Sequence, residues 1–357
     1  MMPQVQVLSG FNRKAAAAIL VEWQGKRLLL DAGGALHAGE PCRWADGLDV
    51  DAVLISHDHI DHIGGVALLP KDVPLYCTPQ VAQALPAGRA WQSLLPSGRQ
   101  QILGIPVTTG QAGHSLGGVW LHLGIGDGVF YSGDASLESL LFPFDRPPSA
   151  RIALLDASYG LYDRPQAKCR QALGQRLDRP TVLPAPSSGR ALEMALWLHR
   201  QAGRQGIDWS LDDDCRKGLE QVLRLPQALR RRGHDATLRE LLNRREPAAA
   251  QLRLVGDRDD SPRGWLGYRL LHTGYLTPER QRQLEAGEVD WLRWNVHLRL
   301  SHLLALVHQL GARQVIPLFT PMVPEWSRLL TVPPTPFLHE ESPEHAACPA
   351  LCVHAPW

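Results

Sequence analysis

One short run restricts this chain more than any other. Ser56-His57-Asp58-His59-Ile60-Asp61-His62-Ile63-Gly64-Gly65 places three histidines and two aspartates within the six residues from His57 to His62. Just before it, Asp51-Ala52-Val53-Leu54-Ile55 reads as a buried strand. Imidazole and carboxylate are the ligands that suit Zn²⁺ and related first-row metals. A ligand set delivered by one turn at the end of a strand is held on a rigid element, as a catalytic metal requires. The fold must therefore bring further ligands to the end of this strand.

The flanking sequence is strand-rich. Residues 16–23 and 27–31 read as two strands joined by a hairpin turn at Gln24-Gly25-Lys26 and closed by Asp31-Ala32-Gly33-Gly34. Residues 63–69 and 79–85 suggest short helical pieces, with a strand at 73–78 between them. Residues 104–110 lead as a strand into Ala112-Gly113-His114-Ser115, residues 119–123 form another, and Val129-Phe130-Tyr131-Ser132-Gly133-Asp134 a third. With 357 residues, 44% hydrophobic and 20% charged, the chain has material for one large or two ordinary domains. A net charge of +1 excludes a global basic field. No apolar run approaches a membrane span and no secretory leader is evident at Met1-Met2-Pro3. The six scattered cysteines read as free thiols of a cytoplasmic protein, and Cys348-x-x-x-Cys352 has no second pair to complete a metal site.

His57-x-His59-x-Asp61-His62 resembles the signature of the metallo-β-lactamase fold hydrolases. The resemblance implies an αββα sandwich with a Zn²⁺ site of one or two ions along one edge. His57 and His59 would address the first ion, Asp61 and His62 the second. His114 matches the next ligand, Asp134 the carboxylate that bridges the ions, and Asp31 the residue that buttresses the ligand loop from behind. Such an ion supplies a nucleophile near neutral pH.

Further along, Ile152-Ala153-Leu154-Leu155-Asp156-Ala157-Ser158-Tyr159-Gly160 resembles a motif of the β-CASP branch, whose members process nucleic acids. That branch carries an inserted α/β domain. The expected organisation is residues 1–163, the insertion at 164–290, and a return at 291–357. Residues 179–193 resemble the insertion's strand, small-residue loop and helix, the helix running from Arg190 to about Ala202 and stopping at Gly203. Ser187, Ser188 and Arg190 at its N-terminal end are candidates for binding a phosphate. Residues 212–245 read as helices broken at Pro226 and Gly233, with Asp212 and Asp235 as N-caps. Arg230-Arg231-Arg232, Arg239, Arg244 and Arg245 make either a solvated basic face or a patch tracking a nucleic acid backbone. A strand at 267–272 enters a Thr273-Gly274-Tyr275 turn, and a return strand spans 291–297.

His297 matches the branch's histidine near the scissile phosphate, positioned by the acid matched by Asp156. His302 is a rival, placed on the following helix, whose Leu303, Leu306, Val307 and Leu310 face the core. The final strand, read over 311–319, ends on Phe319 where RNA-type members have a ligand histidine. DNA-type members, the crosslink-repair and Artemis-like nucleases, have an apolar residue there. The resemblance thus leans to the DNA type and leaves the second ion one ligand short, with His339, His345 and His354 the histidines of the tail. Together these imply a zinc-dependent nuclease with Asp61, Asp156 and His297 as catalytic groups, DNA as preferred substrate, and a role as an exonuclease in DNA repair or end processing. The alternatives are a β-CASP ribonuclease, a small-molecule ester or phosphodiester hydrolase, and an inactive metal-bound adaptor.

Overall fold

The computed structural model describes residues 2–37, 39–40, 42–226, 230–247, 249–256 and 265–330. The first sheet has six strands in chain order: β1 (Gln4–Ser9), β2 (Ala18–Trp23), β3 (Lys26–Leu30), β4 (Ala52–Leu54), β5 (Leu75–Cys77) and β6 (Gln92–Ser93). Its first three strands pair antiparallel and the rest parallel. The second sheet contains β7 (Gly98–Ile102), β8 (Ile105–Gln111), β9 (Val119–Leu123), β10 (Val129–Tyr131) and β11 (Ile152–Asp156). A short helix, α1 (Ile60–Ile63), follows β4 and carries the second half of the histidine cluster. Strand β7 was not foreseen in the sequence, because Gly-Arg-Gln-Gln-Ile lacks a β-branched apolar run.

The two sheets pack face to face. Val7, Ile19, Leu28 and Leu54 of the first meet Leu121, Tyr131 and Leu154 of the second in one apolar layer. Period-2 alternation sends the intervening residues outward. Leu20, Leu29 and Val53 pack beneath Trp44, Ile63 and Val66 on one side. On the other, Phe130, Ala153 and Leu155 lie beneath a late helix whose Leu303, Leu306, Val307 and Leu310 form its buried stripe. These four layers are the αββα sandwich of the metallo-β-lactamase fold.

A third sheet of five parallel strands is drawn wholly from residues 181–291. It comprises β12 (Thr181–Ala185), β13 (Trp209–Leu211), β14 (Leu252–Gly256), β15 (Arg269–His272) and β16 (Asp290–Trp291), in the order β13-β14-β12-β15-β16. The chain crosses from one side of β12 to the other between β14 and β15. Such a reversal opens a crevice at the carboxyl ends of the strands, here those of β12 and β15. The helices of this segment are α2 (Gln166–Gly174), α3 (Arg190–Gln205), α4 (Asp213–Arg224), α5 (Asp235–Asn243) and α6 (Pro278–Glu285). Then α7 (Leu300–Leu310) supplies the stripe described above, and β17 (Gln314–Leu318) pairs parallel with β11 to complete the second sheet. A final short helix is α8 (Glu325–Leu329).

Several boundaries differ from the sequence reading. Helix α3 runs through Gly203 and ends at Gly206. Asp212 caps α4 by accepting from Cys215 N at 2.8 Å, but Asp235 is the first residue of α5, not its cap. The expected return strand at 291–297 is a two-residue strand in the third sheet, so the boundary at 290/291 falls inside β16. After it, Leu292 N and Trp294 N continue along β15 by donating to His272 O and Thr273 O. Arg230 is committed to an ion pair with Asp235, and Arg244 stacks 3.9 Å over Trp209 while pairing with Glu246. Both are structural side chains, which weakens the basic-patch reading. The exposed loop expected at 246–263 instead holds β14, a largely buried strand, while its residues 257–263, with His339, His345, His354, Cys348 and Cys352, lie outside the described residues. Among the described residues no helix is long and apolar enough to cross a membrane.

Candidate metal centre and active site

The site sits at the carboxyl ends of β3, β4, β10 and β11, where the sandwich opens. Its foundation is Asp31, fully buried after β3. The Asp31 carboxylate accepts from Ser56 N (2.6 Å), Ser56 Oγ (2.7 Å), Tyr131 Oη (2.6 Å) and His62 Nδ1 (2.7 Å). Four donors hold the anion, His62 among them as an ion-pair partner, and they tie the metal loop to the second sheet. They also hold Asp31 at φ +58, a conformation that costs a non-glycine residue about 1–2 kcal/mol. Gly33, two residues on, lets the chain pass under the ligand loop, because a Cβ there would lie 2.1 Å from Asp61 O.

These contacts set the ring tautomers. The Ser56 hydroxyl gives its proton to Asp31, so at 3.0 Å it accepts from His57 Nδ1. That leaves the His57 Nε2 lone pair facing inward. His114 Nδ1 donates to Val296 O at 2.7 Å and likewise frees Nε2. His62 Nδ1 donates to Asp31 and so turns Nε2 inward, but here burial is outweighed by the carboxylates of Asp134, Asp61 and Asp31, which raise the His62 pKa well above the usual value. The outer partners thus aim the inner nitrogens, as in metal-binding histidines generally. His114 Nε2 lies 3.0 Å from His59 Nδ1, and Asp134 Oδ2 lies 3.7 Å from His57 Nε2 and 3.6 Å from His114 Nε2. Four donor atoms, from His57, His59, His114 and Asp134, lie within 4.8 Å of one another. The Nε2 atoms of His57 and His62 and Oδ1 of Asp134 are buried without a hydrogen-bond partner. Buried polar atoms normally find one. Burial, with the neighbouring imidazoles, pushes His57 and His59 well below the usual histidine pKa, and burial takes His114 down to about 4. Neutral imidazoles with converging bare lone pairs are what a cation binds, so these residues fit a divalent metal.

Asp134 has a second side. Its Oδ1 lies 3.3 Å from His62 Nε2, and with Asp61 these form a second convergent group. Here the sequence reading missed a residue. Lys14, on the loop between β1 and β2, places its ammonium 2.8 Å from Asp61 Oδ2. Burial opposes the Asp61 charge, but Lys14 and His62 hold its pKa down at about 2. Burial likewise opposes the charge on Lys14, and the carboxylates of Asp61 and Asp134 outweigh it, so the ammonium persists.

His297, after β16, donates Nδ1–H to Asp156 Oδ2 at 2.8 Å and lies 3.6 Å from Asp134 Oδ2. Asp156 is held by Ala135 N (3.1 Å) and Ser158 N (3.0 Å), so its orientation is fixed from the second sheet. Tyr159, also missed, accepts from Val296 N at 2.8 Å and so anchors both His297 and the carbonyl that aims His114. His302 belongs to none of the convergent groups.

Lys14, His59, Asp61, His114, Asp134 and His297 line a cleft of about 980 Å³ whose far wall is the third sheet. Ser187, Ser188 and Arg190 line it from the end of β12, and His272, Thr273 and Gly274 from the end of β15. The loop after β12 is tied to the metal side, since Leu116 N donates to Ser188 O at 2.8 Å and Ser188 Oγ to Asp58 at 3.2 Å. The Arg190 guanidinium lies against Gly274, where a Cβ would meet its Nη1.

The layered sheets and the convergent His and Asp groups at their edge are consistent with a metallo-β-lactamase fold. Comparison with known proteins agrees. Residues 26–143 match the family model described as "Beta-lactamase superfamily domain". The chain is 26% identical over 261 residues to the transcription termination factor FttA of a Lokiarchaeum species, covering 57% of this chain and 40% of that protein. It is 26% identical over 226 residues to an RNase J-like protein of Methanocaldococcus jannaschii, covering 53% of each. A ribonuclease of Thermus thermophilus is 30% identical over 190 residues, covering 43% of each. The chain thus spans between two fifths and about half of these relatives' lengths. A solved structure, a protein of unknown function from Enterococcus faecalis V583, superposes with a TM-score of 0.58 at 14% identity, covering 88% of this chain and 93% of that one, which speaks to the fold alone. The lean towards DNA-type members drawn from Phe319 finds no support here, since two of these relatives are named as ribonucleases or RNase-like.

Proposed function

We propose that the chain is a metal-dependent phosphodiester hydrolase acting on RNA. The observation that carries this is the convergence of two units on one cleft: the His57–His59–His114–Asp134 group and the Asp156–His297 pair. A divalent cation held by the first, zinc being the best match to a His and Asp donor set, would supply Lewis acidity and the nucleophile at neutral pH. The protein's own groups do the rest. Asp156 fixes His297 through Nδ1, which leaves Nε2 to give a proton to the departing oxygen of the cleaved strand. Asp61 holds Lys14 at the mouth of the site. Ser187, Ser188 and Arg190 lie where the adjoining phosphate of a bound strand would rest, at the crevice between β12 and β15.

RNA over DNA rests on the names of the relatives, and a polymer over a small ester on the size of the cleft and the second wall that the third sheet gives it. The test is incubation of zinc-loaded protein with end-labelled single-stranded RNA, single-stranded DNA, duplex DNA and an activated small ester. Cleavage of RNA fastest is expected. Faster cleavage of DNA would restore the DNA-type reading, turnover of the ester alone would remove the nuclease, and inertness towards all four would leave a binding protein.

A further inference from the structure

We propose that the Lys14 ammonium permanently occupies the second cation seat of this site, so that the chain works with one metal ion and one lysine. The proposal deepens the hydrolase reading and rests on it. The seat is defined by Asp61, His62 and Asp134, whose donor atoms converge next to the first group and share Asp134 with it. Lys14 Nζ is 2.8 Å from Asp61 Oδ2, and its side chain is 13% exposed. A metal ion bound to the same oxygen would sit at about 2.0–2.2 Å from it. Two cations cannot share that corner without facing each other across a few ångströms.

Phe319 closes the other side. Its ring stands edge-on to His62, 5.4 Å between centroids, and lies 4.8 Å from Lys14 Nζ, a cation–π distance. It offers a quadrupole to an ammonium and no lone pair to a metal. The arrangement is built, since Phe319 N donates to Gly10 O at 2.7 Å and Met322 N to Asn12 Oδ1 at 2.7 Å. Those two bonds dock the Lys14 loop onto the end of β17. Gly10, at φ +93, makes room for the ring, because a Cβ there would fall 2.6 Å from Phe319 Cε1.

An ammonium does part of a metal's work. It pairs with Asp61 and offsets part of the negative charge of Asp61 and Asp134, and its three donors exceed what Asp61 uses. Since Lys14 also lines the cleft, the remaining donors are placed to meet a non-bridging oxygen of the substrate phosphate. It does not acidify a water, which leaves that task to the first seat.

Elemental analysis and calorimetric titration with Zn²⁺ on the full chain test the proposal without reference to activity. Wild type is expected to saturate at one ion per chain. Lys14→Ala frees Asp61, His62 and Asp134 and is expected to admit a second, weaker ion, raising the ratio from one to two. Adding Asp61→Ala should return it to one. A lysine that merely supported the fold would produce no such gain. Two ions in wild type, or a Lys14→Ala isotherm identical to wild type, would overturn the proposal. Should Lys14→Ala fail to fold, Lys14→Met keeps the stem and removes the charge, and the same gain is expected. If the ratio is one yet no nucleic acid is cut, the hydrolase reading fails while the lysine assignment stands.

Discussion

The two halves of this site share Asp134 and differ in what they already contain. Around His57 and His114, the inward nitrogens are aimed from behind by hydrogen bonds, and His59 converges on the same point. Around Asp61 and His62, a cation from the chain itself is in place and an aromatic ring closes the remaining side. Yet both halves are delivered by the same six-residue run. The ligand motif alone therefore does not decide how many ions bind. On the assignment proposed for Lys14, residues 10, 14 and 319, on two distant loops, decide it.

The comparison is broken most severely at the first half. His114→Ala should abolish both zinc retention and cleavage, read by elemental analysis and by an RNA assay. A variant that kept full activity would show that the lone-pair cluster is not the working centre. His297→Ala should leave zinc bound and lower kcat about 10²–10⁴-fold. The loss should shrink on a phosphodiester with an activated leaving group, because such a group departs without a proton. An equal loss on both substrates would move His297 out of that role. Asp31→Asn should lower metal affinity about 10–100-fold, since an amide accepts fewer of the four donors that orient His57 and His62.

Gly10→Ala touches the second half alone. A Cβ in that left-handed backbone, against Phe319, should destabilise the fold by about 1–3 kcal/mol while leaving zinc affinity of the first half unchanged. Coupled loss of zinc would show the two halves to be less separate than their geometry. Outside both halves, buried Glu193 on α3 accepts from Ser139 Oγ and Leu140 N, and burial raises its pKa from 4.5 to about 7. The folded chain therefore binds this proton more tightly than the unfolded chain. The group contributes stability below about pH 4.5 that is lost as pH rises through about 7. Glu193→Gln should flatten that slope in thermal melts without altering either half, and an unchanged slope would mean the carboxyl is not protonated at neutral pH.

Much of this was readable in the sequence because few residue types can ligate a metal, and they fall at strand ends. His57, His59, Asp61, His62, His114 and Asp134 are brought together as the motifs suggested, with Asp31 behind them and Asp156 beside His297. Lys14 was not readable. Its meeting with Asp61 depends on how one loop closes across another, and a lysine before an alanine run carries no local signal. Ser56 and Tyr131 stood next to named residues but act through Asp31, a contact that arises only when the two sheets are stacked. Phe319 was legible as a missing ligand and misread as a mark of substrate. Its neighbours explain it as packing, because it fills the space above Gly10 and faces Lys14.

Phe319 holds its backbone at φ +63, which suits glycine or asparagine far better than an aromatic residue. What keeps the ring there is its fit to Gly10 and Lys14. The consequence is one of inheritance. A lineage could exchange this lysine for a second ion only through several changes together, since any one alone leaves a cavity, a clash or an unpaired charge. Gly10, Lys14 and Phe319 should therefore be gained and lost as a set.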